Sequence, residues 1–170
     1  MAAPDQQAWR PRLATPADAG EVARLLHDFN TEFATPSPGT GVLEGRLVHL
    51  LAGDRIFAVL AGAPAVAVAL ATLRPNVWYA GPVALLDELY VAPPLRGRGI
   101  GSAVLALVMS TAVARGAELV EINVDEGDTG ARRFYERHGF SAGDPDSGEQ
   151  ALYYWHELGG PESTAGDHRT

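Results

Sequence analysis

The stretch LLDELYVAPPLRGRGIGSAVLA, Leu85 to Ala106, passes from an apolar strand carrying two acids, across Pro93 and Pro94, through a glycine-arginine loop and into an amphipathic helix. That order describes an anion-binding site. The first turn of a helix has N–H groups with no intrahelical partner and a partial positive charge, so a loop that delivers phosphates there satisfies both. Gly97, Gly99 and Gly101 let the backbone approach closely, and Arg96 and Arg98 add charge that does not titrate near neutral pH. Lysine cannot take this part, because all 13 basic residues are arginine.

Three readings of the loop compete. A Walker loop requires a lysine after its second glycine and is excluded. A dinucleotide fingerprint fits Gly97-x-Gly99 after a strand, with Glu118 and Glu121 about 20 residues on; its third glycine is Ser102, and the chain after Glu121 is short for a second mononucleotide half. The third reading covers more of the chain. The run Val91 to Gly101, with Arg96, Gly99 and Gly101 in the pattern R-x-x-G-x-G, resembles the acyl-CoA loop of the GNAT superfamily of N-acetyltransferases. Further on, INVDEGDTGARRFYERHGF, Ile122 to Phe140, is similar to that family's second signature.

Length and composition agree with one compact domain, and the order of elements along the chain is an α+β layout. A chain of 170 residues, 46% hydrophobic, can bury one core. The net charge of −8 argues against a nucleic-acid partner, which needs a basic face, and favours cationic partners. With no cysteine, disulfides, thiolate metal sites and an acetyl-cysteine intermediate are excluded. The N-terminal residues lack an apolar signal core, and the apolar stretches are broken before spanning length, so the expected setting is cytoplasmic with no membrane contact.

Along the chain, a short strand at Arg10–Ala14 precedes a helix that starts at Thr15-Pro16-Ala17-Asp18, with Val22, Leu25, Leu26 and Phe29 on its buried face. A helix at Leu43–Leu51 leads into a hairpin of strands Ile56–Ala61 and Ala65–Leu73. Strand Val83–Val91 and a helix from Gly99 to Arg115, ended by Gly116, follow. Ile100, Val104, Leu107 and Val108 form that helix's apolar stripe. Then come strand Leu119–Val124, helix Thr129–His138, and a closing strand pair at Phe140–Ala142 and Ala151–Leu158. The domain is expected to span residues 1–159, with 160–170 a disordered tail. The resemblance implies one mixed sheet flanked by helices and splayed between two central parallel strands.

It also implies a set of site residues. Acetyl-CoA, as cosubstrate and with no metal, is expected to touch Leu89, Tyr90, Val91, Arg96, Gly97, Arg98, Gly99, Ile100, Gly101, Ser102, Asn123, Asp128 and Phe134. Val91's amide would polarise the thioester, and Tyr135 would protonate the leaving thiolate. Phe134, beside Tyr135 but about 100° round the helix, reads as the core residue of the pair. Asp128 stands where the family often has asparagine; an ionised carboxylate can only accept, so it also reads as a helix N-cap. The base is Asp87 or Glu88, which strict alternation puts on opposite faces, Asp87 sharing the face of Leu89 and Val91. An amine acceptor, small molecule or peptide, would meet His27, Phe29, Asn30 and Phe33, with Trp78 and Tyr79 as the opposite wall. Direct transfer in a ternary complex is the expected chemistry, a non-catalytic acyl-CoA sensor the alternative, and a homodimer is left open.

Overall fold

A computed structural model describes residues 9–144, 146–150 and 152–158. The chain forms two compact units that divide after Asn123. In the first, strands β1 (Pro11–Leu13), β2 (Ile56–Gly62), β3 (Ala65–Arg74), β4 (Val83–Val91) and β5 (Leu119–Ile122) make one five-stranded sheet in sequence order. Neighbours are antiparallel except β4 and β5, which run parallel. Helices α1 (Ala19–Glu32) and α2 (Thr40–Ala52) cover one face, and α3 (Ile100–Ala114) covers the other. The second unit contains α4 (Thr129–Arg137).

Both faces of the inner strands are covered, which is why β2 and β3 read as nearly continuous apolar runs. Val22, Leu25, Leu47, Leu60, Val68 and Tyr90 form the core under α1 and α2, with Leu26 and Phe29 at its margin. On α3 the buried stripe is Ile100, Val104, Leu105 and Val108; Leu105 replaces the expected Leu107, which is half-buried. A Schellman closure, Ala117 N–H to Ala112 O and Gly116 N–H to Val113 O at 2.9 Å each, ends α3 at Gly116.

The start of α1 is tied down by charge. A 3₁₀ turn, Pro16–Asp18, precedes the α-helix. The Asp18 carboxylate accepts from the Thr15 N–H (2.8 Å) and hydroxyl (2.9 Å) and pairs with Arg12 at 2.6 Å. These donors hold its pKa well below the usual carboxylate range, the Arg12 hydrogen bond contributing most. Asp18→Ala is expected to cost about 1 kcal/mol in urea denaturation at pH 7, typical of a lost capping interaction. That difference should start to shrink as pH falls below the ordinary aspartate value and be gone only below the depressed folded-state one, because only the ionised carboxylate carries the bonds.

Two expectations need correction. Residues 152–158 carry no strand, and Leu152, Tyr153, Tyr154, Trp155 and Leu158 are exposed. The alternation is suitable, but a strand requires a hydrogen-bonded neighbour; among the described residues the closing pair is reduced to one bridge, Gly143 to Gln150. The segment 160–170 and Ala151 lie outside the described residues. No helix among those described is long and apolar enough to cross a membrane.

Candidate active site

The parallel pairing of β4 with β5 covers only Val83–Leu86 against Leu119–Ile122, while β4 continues to Val91. The last five residues of β4 therefore have one edge without a strand partner among the described residues. Which peptide groups face that edge follows from the ladder. Ala92 N–H donates to Val66 O at 2.9 Å, so Ala92 turns toward β3 and Val91 turns its N–H and C=O the other way. Leu89, two residues earlier, does the same. An extended chain laid along this edge would find donors and acceptors at strand spacing.

A bulge at Asp87 sets the side chains of this stretch. Leu86 pairs with Ala71 and Glu88 with Leu70, so Asp87 is an extra residue with no opposite number on β3. The inserted residue resets the alternation. Thr72 and Leu70 share a face of β3; the Thr72 hydroxyl donates to Asp87 at 2.6 Å, and Glu88 stands opposite Leu70. Both carboxylates therefore point to the α1 face, which corrects the expectation of opposite faces. Burial pushes the Glu88 carboxyl up to about 7, and the charge of Asp87 pushes in the same direction. Asp87, although exposed as a residue, is also raised by partial desolvation, against the Thr72 hydrogen bond that lowers it.

The loop after β4 has the expected backbone. Pro93–Leu95 form a 3₁₀ turn, and Gly97 (φ +76°) and Gly99 (φ +80°) are in left-handed conformations that side chains disfavour. Gly99 is the N-cap of α3, and its carbonyl accepts from Ala103 N–H at 3.0 Å. Ile100 is buried and anchors the first turn, whose leading amides have no helical acceptor. Gly101 and Ser102 continue that turn, half-buried. The two loop arginines differ. Arg98 is exposed and has no ion pair or side-chain hydrogen bond among the described residues, whereas Arg96 makes two bonds of 2.7 Å to Glu32 and one of 2.9 Å from Nε to Val91 O.

On the α1 side, Phe29 stacks on Tyr90 at 5.4 Å and meets Phe33 edge-on at 5.2 Å. Those two expected acceptor residues lie on the same face as Glu88. His27 and Asn30 are engaged in shaping the chain after α1: His27 Nδ1 bonds Ser37 Oγ at 2.8 Å, and Asn30 Nδ2 donates to Pro36 O at 2.8 Å. Trp78 and Tyr79 are not brought to this wall. They sit before β4, in a loop closed by bonds from their amides to Asn76 Oδ1. With Tyr90 near the other end of β4, the separation along the strand is about 23 Å.

In the second unit, Asp128 accepts from Ala131 N–H at 2.9 Å and is the N-cap of α4. Tyr135 is buried, with its ring against Phe134 at 5.1 Å and Phe140 at 5.5 Å. Phe134 is only half-buried, so the expectation that it is the core member of the pair is reversed. The chain turns back after α4 and brings Phe140 onto the tyrosine instead. His138 closes the helix, its Nδ1 2.7 Å from Phe134 O. Asn123 is exposed directly after β5.

Residues 22–140 match the model of the acetyltransferase (GNAT) family. A crystal structure of a candidate acetyltransferase from Arthrobacter sp. FB24 is 57% identical, with 87% of this chain and 95% of that one covered and a TM-score of 0.82. An uncharacterized N-acetyltransferase of Methanocaldococcus jannaschii is 43% identical over 58 residues, 34% of this chain and 26% of the relative. An aminoalkylphosphonate N-acetyltransferase of Salmonella typhimurium is 44% identical over 55 residues, 32% of this chain and 36% of the relative. The matched stretches thus span well under two thirds of either curated relative. The family match runs from α1 through the glycine loop to Phe140, and the chain belongs to the GNAT family of acetyltransferases.

Proposed function

We propose that the chain transfers an acetyl group from acetyl-CoA to a primary amine by direct transfer in a ternary complex. The observation that carries this reading is the bulged, one-sided end of β4. It presents two carboxylates on the α1 face, one with its pKa raised to about 7, and peptide groups on an open edge beside a helix-start loop. Acetyl-CoA supplies the thioester. The loop from Gly97 to Ser102 and the Arg98 guanidinium hold the diphosphate, while Leu89 and the Val91 N–H take up the pantetheine arm along the open edge of β4. Val91 N–H donates to the thioester oxygen as negative charge develops there.

Glu88 removes the proton that would keep the acceptor an unreactive ammonium ion. A base with a pKa close to the working pH combines availability with driving force, and Glu88 meets that condition better than Asp87. Asp87 serves as the second charge that keeps Glu88 basic. Phe29 and Phe33 form an apolar wall for the acceptor's carbon skeleton. Tyr135, placed by its sequence signature, protonates the departing sulfur. Because a thiolate leaves readily without help, Tyr135→Phe should lower kcat by only about a hundredfold, the weak end of general acid effects. Unchanged turnover would remove the phenol from the reaction.

The test is CoA thiol release on the full chain with acetyl-CoA and a panel of primary amines: a polyamine, a free amino acid, a peptide N-terminus and an aminoalkylphosphonate. The name of the Salmonella relative makes the last the first to try. Acetyl-CoA-dependent release with one of them is expected. Thermal stabilisation by acetyl-CoA with no release from any would instead mark a binding module.

A further inference from the structure

The R-x-x-G-x-G pattern places Arg96 and Arg98 side by side as phosphate ligands, but the structure separates them. Arg96 spends its planar fork on Glu32, the last residue of α1, through two parallel bonds of 2.7 Å. Its Nε is directed to Val91 O at 2.9 Å, on the open edge of β4. The guanidinium carbon lies 5.6 Å from the centre of the Tyr90 ring, the ring stacked on Phe29. One side chain thus joins the acceptor-side helix, the aromatic wall and the donor strand.

We propose that Arg96 is a positioning residue, which braces the end of α1 against the Val91 peptide, and that the cation offered to the diphosphate is Arg98. This rests on the acetyl-transfer reading. A bidentate arginine–carboxylate pair is directional and resists exchange of one anion for another. Within it the two charges cancel, so the field at the loop comes from Arg98 and the first-turn amides. The brace holds Val91 C=O in place and with it the adjoining peptide plane, while the other end of the fork fixes where Phe29 and Phe33 stand. Donor and acceptor are then aligned by one contact that touches neither, and small misalignments are costly in transfer reactions.

Three variants of the full chain decide the matter, with acetyl-CoA affinity measured by titration calorimetry and turnover by CoA release with the best amine of the panel. Arg98→Ala should raise the acetyl-CoA Kd about tenfold, the size of one charge-assisted contact. Arg96→Ala and Glu32→Gln should each leave that Kd within about threefold and lower kcat/KM for the amine by about tenfold. Glu32→Gln is the milder change and probes the brace from outside the loop. If Arg96 were instead a phosphate ligand, Arg96→Ala would weaken acetyl-CoA binding tenfold or more, and Glu32→Gln, by freeing the guanidinium, would tighten it. Either result overturns the proposal. A wild-type chain that fails to bind acetyl-CoA would instead defeat the underlying acetyl-transfer reading.

Discussion

Glu88→Gln is expected to lower kcat by about two to three orders of magnitude, within the range for loss of a general base. Glutamine keeps the size and polarity of the side chain but cannot take a proton. Wild-type kcat/KM should rise with pH through about 7 as Glu88 ionises. In the variant that limb should disappear, leaving only the rise due to the amine's own ionisation. Stability supplies an independent readout. The folded protein holds the Glu88 proton more tightly than the unfolded chain does, so this contribution is full below the ordinary glutamate pKa, about 4.3, and is lost as pH rises through about 7. Glu88→Gln should therefore gain stability relative to wild type above neutrality and show no such gain at pH 4. Asp87→Asn gives a third measure: with the neighbouring charge gone, the limb should move to lower pH. A variant with wild-type turnover and an unshifted profile would exclude Glu88 as the base.

The pH argument depends on a feature that the residues of β4 do not announce. VALLDELYV alternates well enough to be read as a strand, and its ends, Val83 and Val91, match the structure. The bulge at Asp87 belongs to the pairing of β4 with β3, which is why alternation alone put the two acids on opposite faces. Thr72 was the one available signal: a hydroxyl in the otherwise apolar run AVAVALATL, two strand positions from the residue opposite Glu88. The Arg96–Glu32 pair was illegible for a similar reason, since 64 residues separate the partners and the motif presents both loop arginines as equivalent. Periodicity and helix-end chemistry, by contrast, are local. They placed α1, α3 and α4 within a few residues and identified Asp128 as a cap. Trp78 and Tyr79 mark the limit of residue type as a guide: aromatic residues suit an acceptor wall, but the length of β4 carries them away from it.

Gly81→Ala is expected to destabilise the protein by about 3 kcal/mol, the upper end for overpacking, or a fall in Tm of roughly 10 °C for a chain of this size. A Cβ at position 81 would overlap the Gly116 carbonyl oxygen, which is backbone and cannot rotate away. The segment around Gly81 is bonded on both sides: Gly81 N–H donates to Glu118 Oε1 at 2.9 Å, and its carbonyl accepts from Asn76 Nδ2 at 2.9 Å. Directly after this contact the parallel pairing begins, with Val83 against Leu119. The close approach of two glycines therefore fastens one end of the β4–β5 pair, and the far end of β4 can remain unpaired without the strands separating altogether. Loosening the fastened end should disturb the open edge as well, so acetyl-CoA affinity is expected to fall along with stability. Gly116→Ala separates crowding from backbone strain. Its added methyl would meet nothing, and the cost should be the left-handed backbone alone (φ +82°), about 1 kcal/mol. Equal losses in urea denaturation of the two variants would mean that backbone conformation, and not the contact between residues 81 and 116, holds this end of the sheet. A larger loss for Gly81→Ala, joined to weaker acetyl-CoA binding, would tie the geometry of the donor edge to a contact at the opposite end of β4.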